Sequence, residues 1–224
     1  MSPLEHLVVL IITHPGGGKL KPTKAFMSST HTKFKAEHCI NGKNDGPDES
    51  KGSVDMCATQ DTWGGKKADP APWIALDFGS QVSVGKVVLA NRINCCGDRT
   101  SKVEVRLSDE LPTDGKSMFT GGQLLGKFAG PGRNGQQVEI KSVDGWGRKV
   151  GRYLIVQMDK TDKPNSLNLK EVTAFGVGPA KGQLQPSLNN SIHPSFLSEH
   201  LKGRIGFLSV SYRVFFLTGT PLKS

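Results

Sequence analysis

The amino-acid sequence predicts an all-β protein, an antiparallel sandwich or barrel built from several short strands. Between about residues 72 and 176, apolar runs of strand length alternate with turn residues, and apolar residues at helical spacing are hard to find. The 27 glycines and 13 prolines lie between these runs instead of in one tract. That distribution indicates turns between strands and not a disordered segment.

Alternation of apolar and polar residues marks the clearest strand, at residues 102–107. There Val103, Val105 and Leu107 fall on one face, because successive side chains of a strand point to opposite sides. The remaining predicted strands cover residues 74–78, 82–91, 124–128, 137–140, 153–158 and 172–175. The first of these ends at Gly79, which predicts a turn before the next strand begins.

The chain has 224 residues, which accommodates one domain of roughly 150 residues with tails at both ends. We expect the domain to span residues 22–176, preceded by an irregular N-terminal tail at 1–21. Residues 177–224 differ in composition from the rest of the chain and are interpreted as a C-terminal tail or a non-native extension. Within them, apolar and polar residues alternate enough at 205–217 to form a strand. The apolar run 7–12 is preceded by Glu5 and not by the basic residues of an export signal, so it makes a poor one. An incomplete gene model would explain why no clear export signal is present.

The net charge is +9, but the basic residues are dispersed, with no run of five or more lysines and arginines. The sequence has no helix-turn-helix pattern, no zinc-finger spacing and no aromatic RNA-binding signature, so we expect no nucleic acid as a partner. It also lacks the G-x-S-x-G and H-E-x-x-H motifs of hydrolases, and we expect no enzymatic activity. No apolar stretch approaches the ~18 residues of a membrane span.

The four cysteines divide into an adjacent pair, Cys95 and Cys96, and a separated pair, Cys39 and Cys57. The adjacent pair is open to three interpretations: two unrelated buried thiols, two metal ligands, or a disulfide between neighbours. A disulfide there would form a rigid apolar plate that persists only in an oxidising compartment. Cys39 and Cys57 bracket a polar loop that a second disulfide would close. An even count that divides in this way favours an extracellular or secreted protein.

Arg92 and Arg99 flank the adjacent cysteines directly after a predicted strand. Both guanidinium groups can therefore stand beside the cysteine pair at the mouth of a loop. Planar forked donors beside an apolar plate suit a sugar, whose hydroxyls take hydrogen bonds and whose C–H face stacks on sulfur. The alternative is that both arginines are surface charges and that Asp98 pairs with one of them.

Four blocks of sequence carry a resemblance that is specific through their order and spacing. They read SSTHTKFKAEHCINGK at 28–43, PWIALDFG at 72–79, NRINCCGDR at 91–99 and KEVTAFG at 170–176. Together they resemble the coagulation factor 5/8 type C (discoidin) domain and, within it, the fucose-binding fucolectin branch. The resemblance implies a galactose-binding-like jelly-roll β-sandwich that holds a sugar at one end with basic residues beside a neighbour disulfide.

The resemblance also implies a ligand face and its residues. Those that match the branch's binding pattern are Arg92, Cys95, Cys96 and Arg99. Asn94 stands where the branch has an acidic residue. Thr59 lies in the stretch where the branch has a histidine, and Trp63, in an insertion after it, is a candidate replacement stacking platform. We therefore expect these residues to bind ligand and the cysteines to pair as Cys95–Cys96 and Cys39–Cys57.

The same branch places a calcium ion under the sugar site, held by the polar loop and by a glutamate on the last strand. The residues here that offer hard oxygens for such an ion are Asn41, Asn44, Asp45, Asp48 and Glu171. Glu171 matches the final-strand glutamate, and Asp45 is the best candidate of the loop. Lys43 opposes a cation in the same loop, so a loop without calcium is the alternative.

We therefore predict a carbohydrate-binding, lectin-like module for cell-surface or extracellular glycans of the fucose or galactose type. The alternative is an adhesion module that binds anionic phospholipid at a membrane surface, as other discoidin domains do with apolar loops. No loop of this sequence pairs exposed leucine, phenylalanine or tryptophan residues, which favours a glycan. A single shallow sugar site gives roughly millimolar affinity, so oligomers or fusion to other domains would supply avidity.

Overall fold

The computed structural model describes residues 17–44, 46–50, 53–145, 149–160 and 165–178. All of them lie within one compact unit, residues 16–181. The predicted strand at 205–217 and nearly all of the predicted C-terminal tail lie outside the described residues.

The described part of the chain consists of strands and short 3₁₀ helices. The strands are β1 Gly18–Lys19, β2 Lys24–Met27, β3 Glu49–Ser50, β4 Ser53–Val54, β5 Cys57–Ala58, β6 Trp73–Asn91, β7 Val103–Ser108, β8 Gln123–Phe128, β9 Gln137–Lys141, β10 Val150–Met158 and β11 Asn168–Val177. The 3₁₀ helices are Ala36–Ile40, Trp63–Gly65 and Gly97–Arg99. All strand pairs are antiparallel. The prediction of an all-β antiparallel fold is confirmed.

The long strand β6 belongs to both layers of a sandwich. Its first part, residues 73–77, pairs with β10 on one side, and β2 pairs with residues 74–77 on the other. Its second part, residues 83–91, pairs with β11, and β9 pairs with residues 86–90. The nine-stranded sheet therefore folds over along β6, in the order β1-β11-β6-β10-β7-β8, and encloses its apolar face.

Gly79 does not end a strand, and the prediction of two separate strands there was wrong. The backbone of Gly79 has φ of +78°, a conformation that glycine adopts without steric cost. The Asp77 carboxylate accepts the Gly79 N–H at 2.7 Å, and β10 shifts register opposite this point, between Gly151 and Tyr153. The glycine therefore turns β6 from one layer into the other while the strand continues.

A β-bulge explains an irregular apolar spacing in the second part of β6. Val82 and Val84 are two residues apart, and so are Val87 and Leu89, but three positions separate Val84 from Val87. Opposite them, β11 skips one residue of β6, since consecutive residues of β11 pair with positions 86 and 84. The extra residue restores the inward face, and all four side chains are buried.

The core lies between the two layers. The predicted inward face of β7 is confirmed, because Val103, Val105 and Leu107 are all buried. They pack in one cluster with side chains of both layers, including Leu76, Val84, Leu125, Ile140, Leu154, Val156, Leu169 and Val172. Cys39 and Cys57 belong to the same cluster and form a disulfide that ties the first 3₁₀ helix to β5.

The sheet begins before residue 22, where the sequence predicts the start of the domain. In β1, Gly18 pairs with Gly176 and Lys19 with Phe175 of β11. The next residue, Leu20, is buried in the core. The segment from residue 18 onward is therefore part of the fold.

Gly176 offers a test of this packing because two strands approach it closely. A Cβ atom at Gly176 would lie 1.8 Å from the Ser83 carbonyl oxygen of β6, whereas one at Gly18 would meet nothing within 4 Å. We expect Gly176→Ala to lower the free energy of unfolding by about 3 kcal/mol or more. Gly18→Ala, on the adjoining strand, is expected to change it by less than about 0.5 kcal/mol. Denaturant unfolding of both variants checks this, and equal effects would contradict the close approach.

Candidate functional site

The loop that follows β6 is held by the side chain of Asn91, the buried last residue of that strand. Its Nδ2 donates to the carbonyl oxygens of Gly97 at 2.8 Å and Arg133 at 3.0 Å. Its Oδ1 accepts from the Thr100 hydroxyl at 2.9 Å and from the Arg92 N–H at 3.0 Å. One amide side chain thus connects both ends of the loop, residues 92–102, to the strand end.

The adjacent cysteines lie at the turn of this loop and form a disulfide, with Cα atoms 3.8 Å apart. Cys96 has φ of +61°, and the 3₁₀ helix that starts at Gly97 follows. A Cβ atom at Gly97 would lie 2.4 Å from the backbone of Arg133, so only glycine permits this approach. The Gly97 N–H donates to Asn134 Oδ1 at 2.8 Å. The disulfide is thereby fixed in the loop between the two arginines.

Asp48 of the polar loop fixes the position of Arg92. Its carboxylate is fully buried and accepts the Ile93 N–H at 3.0 Å and the Asn94 N–H at 2.9 Å. Arg92 Nε lies 3.5 Å from the same carboxylate and donates to Asn94 Oδ1 at 2.7 Å. Asp48 was predicted as a calcium ligand, but here its oxygens bind backbone N–H groups of the loop that carries Arg92.

Asp61 organises the opposite side of the site. Its carboxylate accepts from Arg99 Nη1 at 3.3 Å and from the Trp63 N–H at 2.8 Å, and it lies 3.4 Å from His31 Nδ1. Arg99 Nη1 also donates to the Ser166 hydroxyl at 3.4 Å. The Trp63 side chain is 73% exposed, with the His31 ring edge-on to it at 6.2 Å between centroids. An exposed indole, an imidazole, a carboxylate and a guanidinium group therefore adjoin one another.

These groups line an open cleft of about 440 Å³. Its polar and aromatic wall includes His31, Lys33, Asp61, Trp63, Arg92 and Arg99, together with Thr32 and Ser166, and Phe34 and Ala58 are apolar contributors. The cleft offers guanidinium donors, a carboxylate acceptor and an aromatic face, and this combination suits a small polyhydroxylated ligand.

The cleft contains three of the predicted ligand residues, namely Arg92, Arg99 and Trp63. Cys95, Cys96 and Asn94 belong to the same loop but do not line the cleft, and Asn94 contacts Arg92 instead. Thr59 does not line the cleft either. It is fully buried, and it exchanges hydrogen bonds with Leu167 through its N–H at 3.0 Å and its hydroxyl at 2.9 Å.

Sequence reasoning missed His31 and Asp61. His31 precedes Cys57 by many residues and reaches the cleft because its N–H pairs with the Ala58 carbonyl oxygen at 2.9 Å. No local sequence pattern marks the histidine of SSTHTKF, since its place at the cleft depends on its pairing with Ala58.

The predicted calcium ligands do not fit a metal ion as they are arranged. Both Glu171 oxygens accept the Gly42 N–H at 3.2 Å, and Asn41 Oδ1 accepts the Lys43 N–H at 2.9 Å. Burial raises the pKa of Glu171 to about 7, against the opposing effect of the Gly42 hydrogen bond. Asn44 is exposed, and Asp45 lies outside the described residues. Within the described ranges, no three acidic, histidine or cysteine side chains converge on a metal position.

A model of the F5/8 type C family described as NedA-like, galactose-binding domain matches residues 39–150, half of the chain. No curated protein matches the sequence.

Solved structures with a similar fold include several lectins. A fucolectin from the serum of the striped bass, Morone saxatilis, superposes with a TM-score of 0.56 at 20% identity, over 73% of this chain and 50% of that one. The chain thus spans half the length of that protein. A fucose-binding module of Streptococcus pneumoniae gives 0.51 at 21% identity, over 73% and 98% of the two chains. The lectin domain of lectinolysin, solved with Lewis b antigen, gives 0.50 at 24% identity, over 69% and 93%. At these identities the similarity establishes the fold, which is the one predicted.

The role of Asp48 is testable by an isosteric substitution. We expect Asp48→Asn to lower the free energy of unfolding by about 2 kcal/mol, because an amide nitrogen would face a backbone N–H in a buried position. Asp98→Asn is the matched control, since Asp98 is exposed and makes no hydrogen bond or ion pair with the described residues. Thermal and denaturant unfolding measure both effects. An Asp48→Asn variant as stable as the control would contradict the assigned role.

Proposed function

Because this chain belongs to the F5/8 type C family of NedA-like, galactose-binding domains, we propose that it is a non-catalytic, lectin-like module that binds carbohydrate. The observation that carries this proposal is the convergence of Arg92 and Arg99, from two positions of one loop, on a single cleft beside the exposed Trp63. Each part of that wall matches a chemical feature of a sugar.

The two arginines supply hydrogen-bond donors that are already oriented. Among the described residues, the hydrogen bonds of the Arg92 side chain involve Nε, and those of Arg99 involve Nη1. The other guanidinium nitrogens are available to ligand hydroxyls. A planar fork of this kind binds two neighbouring hydroxyls of one ring, which a lysine ammonium does less well.

Trp63 and Asp61 supply the other two features. The C–H face of a pyranose packs on an indole ring, and the exposed Trp63 side chain presents such a surface. The Asp61 carboxylate accepts hydrogen bonds. The cleft can therefore accept a hydrogen bond from one sugar hydroxyl through Asp61 and donate one to another through the arginines. We propose a sugar of the fucose or galactose type, whose axial hydroxyl and apolar face lie on different sides of the ring. The fucolectin, the fucose-binding module and the lectin domain solved with Lewis b antigen support this class.

The Cys95–Cys96 disulfide is assigned a different role from the one predicted. Because it lies in the loop and not in the cleft wall, we propose that it shapes the loop between the arginines instead of stacking on the first sugar. Both disulfides persist in an oxidising environment, which supports a secreted or extracellular module. None of the described helices has the length and apolar composition to cross a membrane.

Glycan retention by the full chain, made under oxidising conditions, tests the function. We expect retention on immobilised fucose or galactose and on matching glycans of an array. Arg92→Ala and Arg99→Ala should each abolish it, because a charged hydrogen bond contributes ~1.5–3 kcal/mol of the ~4–6 kcal/mol available to a monosaccharide. Trp63→Ala should weaken it roughly tenfold through lost stacking.

The matched control is Arg133→Ala. Arg133 is exposed and adjoins Gly97, but its side chain neither lines the cleft nor bonds to a described residue, so retention should be unchanged. Arg106 is unsuitable as a control, because it donates to the carbonyl oxygens of Thr120 and Gly121. Flotation with liposomes of anionic phospholipid tests the alternative. Binding to liposomes without glycan retention, or retention by both alanine variants at parental melting temperature, would overturn the proposal.

A further inference from the structure

Two lysine ammonium groups donate hydrogen bonds to the polar loop between Cys39 and Cys57. Lys43 Nζ donates to Asp55 Oδ1 at 2.8 Å and lies 3.4 Å from the Ser53 hydroxyl. Lys170 Nζ, from β11, donates to the Pro47 carbonyl oxygen at 3.0 Å. The Lys170 side chain is fully buried and is among the largest buried side chains of the fold.

A fully buried lysine is uncommon and costs free energy unless partners surround the charge. At Lys170 the partner is a backbone carbonyl of the polar loop, and Asp55 adds negative charge nearby. Carbonyl and carboxylate oxygens gathered around a positive charge are also the surroundings of a bound calcium ion. Here lysine side chains supply that charge.

Hydrogen bonds connect these ammonium groups to the ligand cleft. Pro47, which accepts from Lys170, directly precedes Asp48. The Asp55 N–H donates to the Asp48 carbonyl oxygen at 2.9 Å, so the partner of Lys43 is also joined to Asp48. The Asp48 carboxylate in turn binds the loop that carries Arg92.

The nearby oxygens are also directed toward N–H groups. Glu171 accepts from Gly42, and Asn41 Oδ1 accepts from Lys43. A metal ion would have to displace these donors and would meet the Lys43 ammonium, which repels it.

We propose that the ammonium groups of Lys43 and Lys170 take the place of the calcium ion that the family resemblance implies, so that the cleft is assembled without metal. Lys43 and Lys170 are then positioning residues, which act on the ligand through Asp48. The effect of these lysines on a ligand rests on the proposed function, whereas the assembly of the cleft without metal does not.

Melting and calorimetry of the full parent chain test the proposal directly. Addition of EDTA or of calcium at about 1 mM should shift the melting temperature by less than about 1 °C, because calcium binding contributes nothing to the stability of the folded state. Titration with calcium chloride should give no saturable heat. A fall in melting temperature with EDTA, or saturable calcium binding, would overturn the proposal even if glycan retention fails for another reason.

Lys43→Asp distinguishes a cation substitute from a lysine that is merely structural. The variant places a second carboxylate beside Asp55 without the ammonium, so it should melt lower in EDTA and recover by at least about 4 °C in millimolar calcium. Lys116→Asp, an exposed position between β7 and β8, is the control and should not respond to calcium. A folded Lys43→Asp variant whose melting temperature does not change with calcium would overturn the proposal. If the variant does not fold, the calcium titration of the parent chain tests the proposal by itself.

Discussion

The cleft depends on the fully buried carboxylate of Asp48. A buried carboxylate is stable only when its oxygens accept hydrogen bonds, and here the donors are the backbone N–H groups of Ile93 and Asn94. Those donors converge in one conformation of the loop after β6. The free energy that burial would otherwise cost therefore favours the loop conformation in which Arg92 faces the cleft.

The two arginines are restrained from different sides. Arg92 is fixed by the polar loop, through Asp48, whereas Arg99 is fixed by Asp61 and by Ser166, just before β11. The Cys39–Cys57 disulfide and the pairing of β5 with β11 hold these segments together in the core. The sheet and the disulfide thus restrain both loops of the site. These restraints explain how an open cleft can hold several hydrogen-bond donors in fixed positions.

Local patterns were sufficient for the architecture and for part of the site. The alternation of Val103, Val105 and Leu107 defines an inward face without any knowledge of partners, and the spacing of Arg92 and Arg99 around a turn brings both to one loop mouth. The continuity of β6 was not predictable in the same way. A glycine at φ of +78° looks like a turn in sequence, and only the partners on both sides of Gly79 show that the strand bends and continues.

The roles of individual polar residues depended on contacts that no local pattern contains. Thr59 and Trp63 lie four positions apart in one polar stretch, yet Thr59 is buried because the chain beyond β5 pairs with Leu167, while Trp63 stays exposed. Lys170 shows the same limit for charge. Nothing in its neighbourhood in sequence marks a buried lysine, but the sheet directs its ammonium to the Pro47 carbonyl, 123 residues earlier in the chain. The presence of an ammonium group beside this loop therefore depends on strand pairing, and the oxygen-bearing residues that carry the resemblance do not reveal it.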